Sequence, residues 1–293
     1  MTDKTTLFLR CAAALIFLAS GAWSVAYLVN LPVNMTIAGM CVLSAAVWLL
    51  LAWLLLRKHP GRLTSSTPVF IIAGFAAGMT LLAPAVTTNS SAVAFKDWLG
   101  MNNLQFGLLS PITEELLKYT AVFVLCTMVF RIRRPIEAVA VGIAVGFGFS
   151  AIENTTYVIQ GALDSLDSDL TGALLGIGVR VLAGPWGHSI YTGLAAWGLG
   201  VFLCRTDKPF GWRASRFIGW YLLGYGLHAF FNSAAELPGD IAPIVGFFAA
   251  ILFDWAGGVW LYLRSRKIGR RDTADATAAP QEVAVAEPMP GSL

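Results

Sequence analysis

Four short stretches of this sequence carry groups that could do chemistry inside runs that otherwise read as lipid-facing. "EELLK" supplies Glu114, Glu115 and Lys118, and "FSAIENTTY" supplies Glu153 and Asn154. "RVLAGPWGHS" supplies Arg180 and His188, and "HAFFN" supplies His228 and Asn232. An ionisable side chain at mid-bilayer costs at least about 2.5 kcal/mol on insertion scales, so such groups normally face a partner or water and mark function. Carboxylates and imidazoles together suit hydrolysis by activated water. A glutamate held at low dielectric can take a proton from water, while histidines can donate to a developing oxyanion or bind a divalent metal beside a carboxylate.

These groups work together only if helices bring them together. The chain is 57% apolar and 13% charged over 293 residues. A hydrocarbon core of roughly 30 Å takes about 20 helical residues to cross. Eight apolar segments meet that length, near 7–29, 34–56, 68–88, 106–130, 135–160, 172–203, 214–236 and 241–263. The long continuous runs exclude a β-barrel, which would alternate over about ten residues. The fold class is therefore all-α, a polytopic membrane protein with a polar site between its fourth and seventh spans. At 1.5 Å per residue, Glu153 lies roughly 10 Å below the outer end of its span, His228 roughly 12 Å, and the glutamate pair roughly 5 to 13 Å. His188 reaches that level if its long span begins late or is broken at "GPWG". Phe149, Glu153 and Tyr157 share one helical face, Arg180, Gly184 and His188 another, and Gly224, His228 and Asn232 a third. Gly142 and Gly146 offer a small-xxx-small packing surface.

Basic residues fix an expected orientation. With the N-terminus in the cytoplasm, 17 of the 20 Lys and Arg fall on the inner side; Lys96 lies outside, and Lys118 and Arg180 lie within spans. Both termini are then cytoplasmic, in a multi-pass inner-membrane protein. The first apolar run is long for a cleavable signal and reads as an anchor. Residues 1–267 form the transmembrane domain, 89–105 is a long outer loop, and 268–293 is expected to be a disordered cytoplasmic tail. His59, in a basic loop, needs no function. Four scattered cysteines suggest neither a disulfide framework nor a cysteine-ligated zinc.

A plainer reading of the first stretch makes Ser110 an N-cap and Pro111 the first helical residue, with the glutamates complementing the helix dipole and Lys118 an i,i+4 partner of Glu114. Likewise Asn232 could simply partner His228, and Asp254 could pair with Arg180 or face water. HExxH, GxSxG and GxGD are absent, as are phosphate-loop and dinucleotide fingerprints. A proton-coupled transporter would also use Glu, His and Asp in spans. Against it stand the lack of an internal repeat and the clustering at one depth. A non-catalytic scaffold of the same fold is a third reading.

In order and spacing, "EELLK", "GFGFSAIENTTY", "RVLAGPWGHSIYTG" and "HAFFN" resemble the PrsW-type intramembrane proteases, distant relatives of the CAAX-processing and bacteriocin-processing membrane endopeptidases. The resemblance covers roughly residues 105–235. It implies a protease, a metalloprotease in class, that cleaves a membrane-anchored protein such as an anti-sigma factor during envelope stress, with the lipid bilayer as its setting and no nucleic-acid partner. The implied catalytic residues are Glu114, Glu115, Glu153, His188 and His228, supported by Lys118, Asn154, Arg180 and Asn232. If a divalent metal such as zinc binds, its expected ligands are His188, His228 and Glu153, with Glu115 or Glu114 as base. Without a metal, one of that pair activates water directly and the histidines hold the oxyanion. The chain departs from the CAAX-type relatives in having Glu153 where they place a histidine.

Overall fold

The computed structural model describes residues 3–61, 67–184 and 186–283, with side-chain surroundings over 5–61, 68–184 and 186–272. Every regular element among them is helical: α1 (Asp3–Val29), α2 (Met35–Leu56), α3 (Thr67–Met79), α4 (Leu82–Leu99), α5 (Asn103–Leu109) and α6 (Pro111–Val124), which runs into a π-turn (Leu125–Val129). Then follow α7 (Pro135–Asp164), α8 (Asp169–Ala183), α9 (Gly187–Cys204), α10 (Phe210–Ala234) and α11 (Ala242–Val283).

The axis of the molecule is α7. Its sequence is apolar or small all round, which is the pattern of a helix buried on every side, and every residue from Ile136 to Ile152 is buried. Helices α2, α3, α8 and α9 pack around it. The contact with α9 is a backbone approach. A Cβ on Gly146 would stand 2.5 Å from the His188 carbonyl oxygen, and one on Gly142 2.5 Å from the Ala196 Cβ. The small residues anticipated at this spacing thus seat the start of α9, and with it His188, against the middle of α7. Outward faces carry exposed Leu15, Leu43, Leu175 and Leu252, as lipid contact requires.

Among the described residues, six stretches are long and apolar enough to cross a membrane. They coincide with six of the eight anticipated segments, as single helices or helix pairs in series, the last being the part of α11 up to Asp272. The 106–130 segment is instead divided into α5, α6 and the π-turn, and the 214–236 segment is α10, diluted by Arg213, Arg216 and His228. Two boundaries differ from expectation for physical reasons. The stretch expected to be an outer loop at 89–105 is mostly helical, because no breaker occurs before Gly100, whose φ of 65° ends α4. Ser110 has helical dihedrals and makes no capping hydrogen bond, so α5 and α6 follow one another closely. The 172–203 segment is interrupted, as the "GPWG" stretch suggested: Gly184, at φ 99° and ψ 150°, separates α8 from α9. That conformation is essentially restricted to glycine. Helix α11 continues to Val283 through part of the expected tail, and residues 284–293 lie outside the described residues.

Candidate active site

The buried face of α6 carries Glu114, Glu115 and Lys118, while Leu116 and Phe123 on its other face are exposed. Lys118 is fully buried. Its Nζ lies 2.6 Å from Glu115 Oε1 and 3.6 Å from Glu114 Oε2, and 4.5 Å from the centroid of the Phe149 ring on α7. The lysine thus pairs chiefly with Glu115 at i,i+3 spacing. It also bonds His188 Nδ1 at 2.7 Å. An ammonium has only donors, so Nδ1 accepts, and the His188 proton resides on Nε2. From there it is donated to Glu153 Oε2 at 2.9 Å. Arg180 of α8 completes this side, donating from Nη2 to Glu153 Oε2 at 2.8 Å and from Nε to Asn154 Oδ1 at 2.6 Å. Its guanidinium lies 4.2 Å over the Tyr157 ring.

On the opposite side, His228 of α10 donates from Nδ1 to Glu115 Oε1 at 2.8 Å. The carboxylate fixes the tautomer, and a bare lone pair remains on Nε2. That nitrogen stands 3.9 Å from Glu114 Oε2. Glu114 is itself anchored at its other oxygen, which accepts from Asn89 Nδ2 of α4 at 2.8 Å, whereas Oε2 is buried with no hydrogen-bond partner. The His188 and His228 rings meet edge to face, 4.9 Å between centroids.

A cavity of about 70 Å³ opens between these groups, bordered by Glu114, Glu153, Arg180, His188 and His228, with Asn154 and Asn232 also on its wall. Its volume suits several water molecules. All nine residues singled out from the sequence therefore meet here: seven on the cavity wall, and Glu115 and Lys118 immediately behind it, bonded to His228 and His188. Asn232 does not partner His228 but donates to Ser110 Oγ at 3.3 Å. Three contributors were not anticipated. Asn89 lay in the supposed outer loop, Tyr191 reads as an ordinary core aromatic, and Asp254 lacks polar sequence neighbours; the last two border the cavity. Asp254 accepts from the Tyr191 hydroxyl at 2.7 Å, with no ion pair to Arg180 among the described residues.

The donor set fits a divalent cation. One ligand atom each from Glu114, His188 and His228 lies within 4.8 Å of the others, all three residues being buried. Glu114 Oε2 makes no hydrogen bond, has the Lys118 ammonium 3.6 Å away and faces an imidazole lone pair, two acceptors that a cation or a shared water is suited to bridge. Charge agrees: three glutamates face two cationic side chains, one negative charge in excess before Asp254 is counted. The carboxylate of this trio is Glu114. The glutamate anticipated as ligand, Glu153, is instead bound to Arg180 and His188.

A multi-span helical protein with acid and imidazole groups converging on a small buried cavity has the equipment of a membrane-embedded hydrolase. The family model described as PrsW family intramembrane metalloprotease matches residues 66–256, a stretch that contains every residue of the cavity. The chain belongs to this family. No curated protein and no solved structure matches it.

Proposed function

We propose that this protein hydrolyses a peptide bond in a membrane-anchored protein at the Glu114–His188–His228 cavity. The supporting observation is the buried Glu114 Oε2, without a hydrogen bond and held 3.9 Å from His228 Nε2, with the Lys118 ammonium 3.6 Å away. Glu114, His188 and His228 would hold one divalent ion such as zinc, which when bound supplies Lewis acidity and a more acidic water. His228 needs no rearrangement for this, because Glu115 already fixes its Nδ1–H and leaves Nε2 free. His188 has both nitrogens engaged, its lone pair on Nδ1 and its proton on Nε2. Ligation through Nε2 would move that proton to Nδ1, which could then no longer accept from Lys118, and would release Glu153 to serve as proton acceptor for water. Arg180 and Asn154 hold Glu153 in place, and the guanidinium offsets charge that develops on the attacked carbonyl.

In this reading the three glutamates have separate tasks: Glu114 ligates, Glu115 orients His228, and Glu153 moves the proton. The protein sits in the inner membrane with both termini in the cytoplasm, following its basic residues, and the cavity lies in the outer half of the bilayer. A substrate resembling an anti-sigma factor, cut on the extracytoplasmic side under envelope stress, suits that placement.

The test is cleavage of a single-span substrate by protein reconstituted in liposomes. Wild-type protein is expected to cleave, and Glu114→Gln, Glu153→Gln and His228→Ala to be inactive while folded and inserted. Processing by all three variants at the wild-type rate would overturn the assignment. Substrate-dependent proton flux without cleavage would favour a transporter.

A further inference from the structure

Asp254, 3% exposed on α11, is a cavity carboxylate that none of the roles above employs. Its partner Tyr191, 2% exposed, stands one turn after His188 on α9 and lies flat against His228, with centroids 4.8 Å apart and an interplanar angle of 13°. The contacts run in series from α11 to α6: Asp254 accepts from the Tyr191 hydroxyl, the Tyr191 ring covers the His228 face, and His228 donates to Glu115.

A single hydrogen bond at Nδ1 fixes one point of an imidazole and leaves the ring free to rock about that bond. A flat neighbour removes the rocking, provided the neighbour is itself anchored. A carboxylate is an acceptor only, so it also commits the Tyr191 proton towards α11 and away from the lone pair on His228 Nε2. We propose that the Asp254–Tyr191 pair is a positioning device that fixes the plane of His228, so that Nε2 stays aimed at Glu114 Oε2. Neither residue touches the reacting atoms; both act through His228, as partners outside a ligand shell commonly do.

This inference rests on the protease reading, and two readouts on the full-length reconstituted protein separate them. Zinc affinity is measured by competition with a chelator, and kcat and KM on the single-span substrate. Tyr191→Phe, which deletes one oxygen, and Asp254→Leu are each expected to lower zinc affinity and kcat about 10- to 100-fold with KM unchanged. The double variant should be no worse than either single one, because both break the same link. Asp254→Asn, whose amide oxygen still accepts from the tyrosine, should retain most of both. Wild-type zinc affinity and kcat in Tyr191→Phe would overturn the proposal, as would Asp254→Asn as impaired as Asp254→Leu. Should Asp254→Leu fail to fold, Tyr191→Phe and Asp254→Asn decide alone. Absence of cleavage by wild-type protein would instead sink the protease reading, with the zinc titrations still reporting on the link.

Discussion

At the scale of single residues, the site is a set of carboxylates told apart by what holds them. Zinc content and turnover should separate their roles. Glu114→Gln is expected to lose both metal and activity, and Glu153→Gln to lose activity while retaining metal. Glu115→Gln should weaken metal binding about 10- to 100-fold, the usual consequence of disturbing the partner of a ligating histidine. Equal metal loss in all three would show that the roles are not distinct. Lys118 gives a second prediction. Removing one member of a buried ion pair leaves the other uncompensated at about 3–5 kcal/mol, so Lys118→Met should sharply lower the melting temperature. Adding Glu115→Gln should recover much of that stability and none of the activity; no recovery would mean that Lys118 matters through His188 instead. Much of this site was legible in the sequence because a charge inside an apolar run is conspicuous. Its pairing was not: helical spacing suggested Lys118 with Glu114, and only the packed helices show Glu115 as the nearer partner. Tyr191 gave no signal, since an aromatic on a membrane helix is ordinary, and Asn89 was hidden by the mistaken loop.

At the scale of elements, the break between α8 and α9 decides where two of the site's side chains go. Arg180 and His188 flank Gly184, and a Cβ there would meet Trp255 Nε1 at 2.8 Å besides requiring a backbone conformation that other residues avoid. Gly184→Ala is expected to cost about 1–3 kcal/mol and to reduce activity, by displacing Arg180 and His188 relative to each other. Gly178→Ala, on the same helix with open space around it, should be neutral or stabilising. Matching effects of the two substitutions in melting and cleavage assays would contradict this role for the break. The break could be read from "GPWG" because glycine and proline interrupt helices for local reasons. The continuation of α4 to Leu99 could not, since Asn, Ser and Lys in "TTNSSAVAFKDWL" argue for a loop by polarity while nothing in it forbids a helix.

At the scale of the whole molecule, the end remote from the cavity is tied by His59. Although it lies in a basic loop, it is fully buried, with Nδ1 accepting from the Gly61 N–H at 3.1 Å and Nε2 2.8 Å from Ser265 Oγ of α11. Burial, aided by the charge of Arg266, lowers its pKa from 6.5 to about 4. The unfolded chain therefore takes up a proton below pH 6.5 that the folded chain refuses until about pH 4. The stability contributed is complete above pH 6.5 and declines as pH falls through that window, by up to about 3 kcal/mol. Melting temperatures should drop more steeply from pH 6.5 to 4 in wild-type protein than in His59→Gln; parallel curves would show that this histidine is not the linked group. The central claim, that three helices bring one carboxylate and two imidazoles to a single point, is tested most directly by X-ray absorption at the zinc edge of the loaded, reconstituted protein. Two imidazole nitrogens at about 2.0–2.1 Å with oxygen donors are expected, reduced to one imidazole in His228→Ala. A zinc spectrum without imidazole, or one that His228→Ala leaves unchanged, would contradict the account.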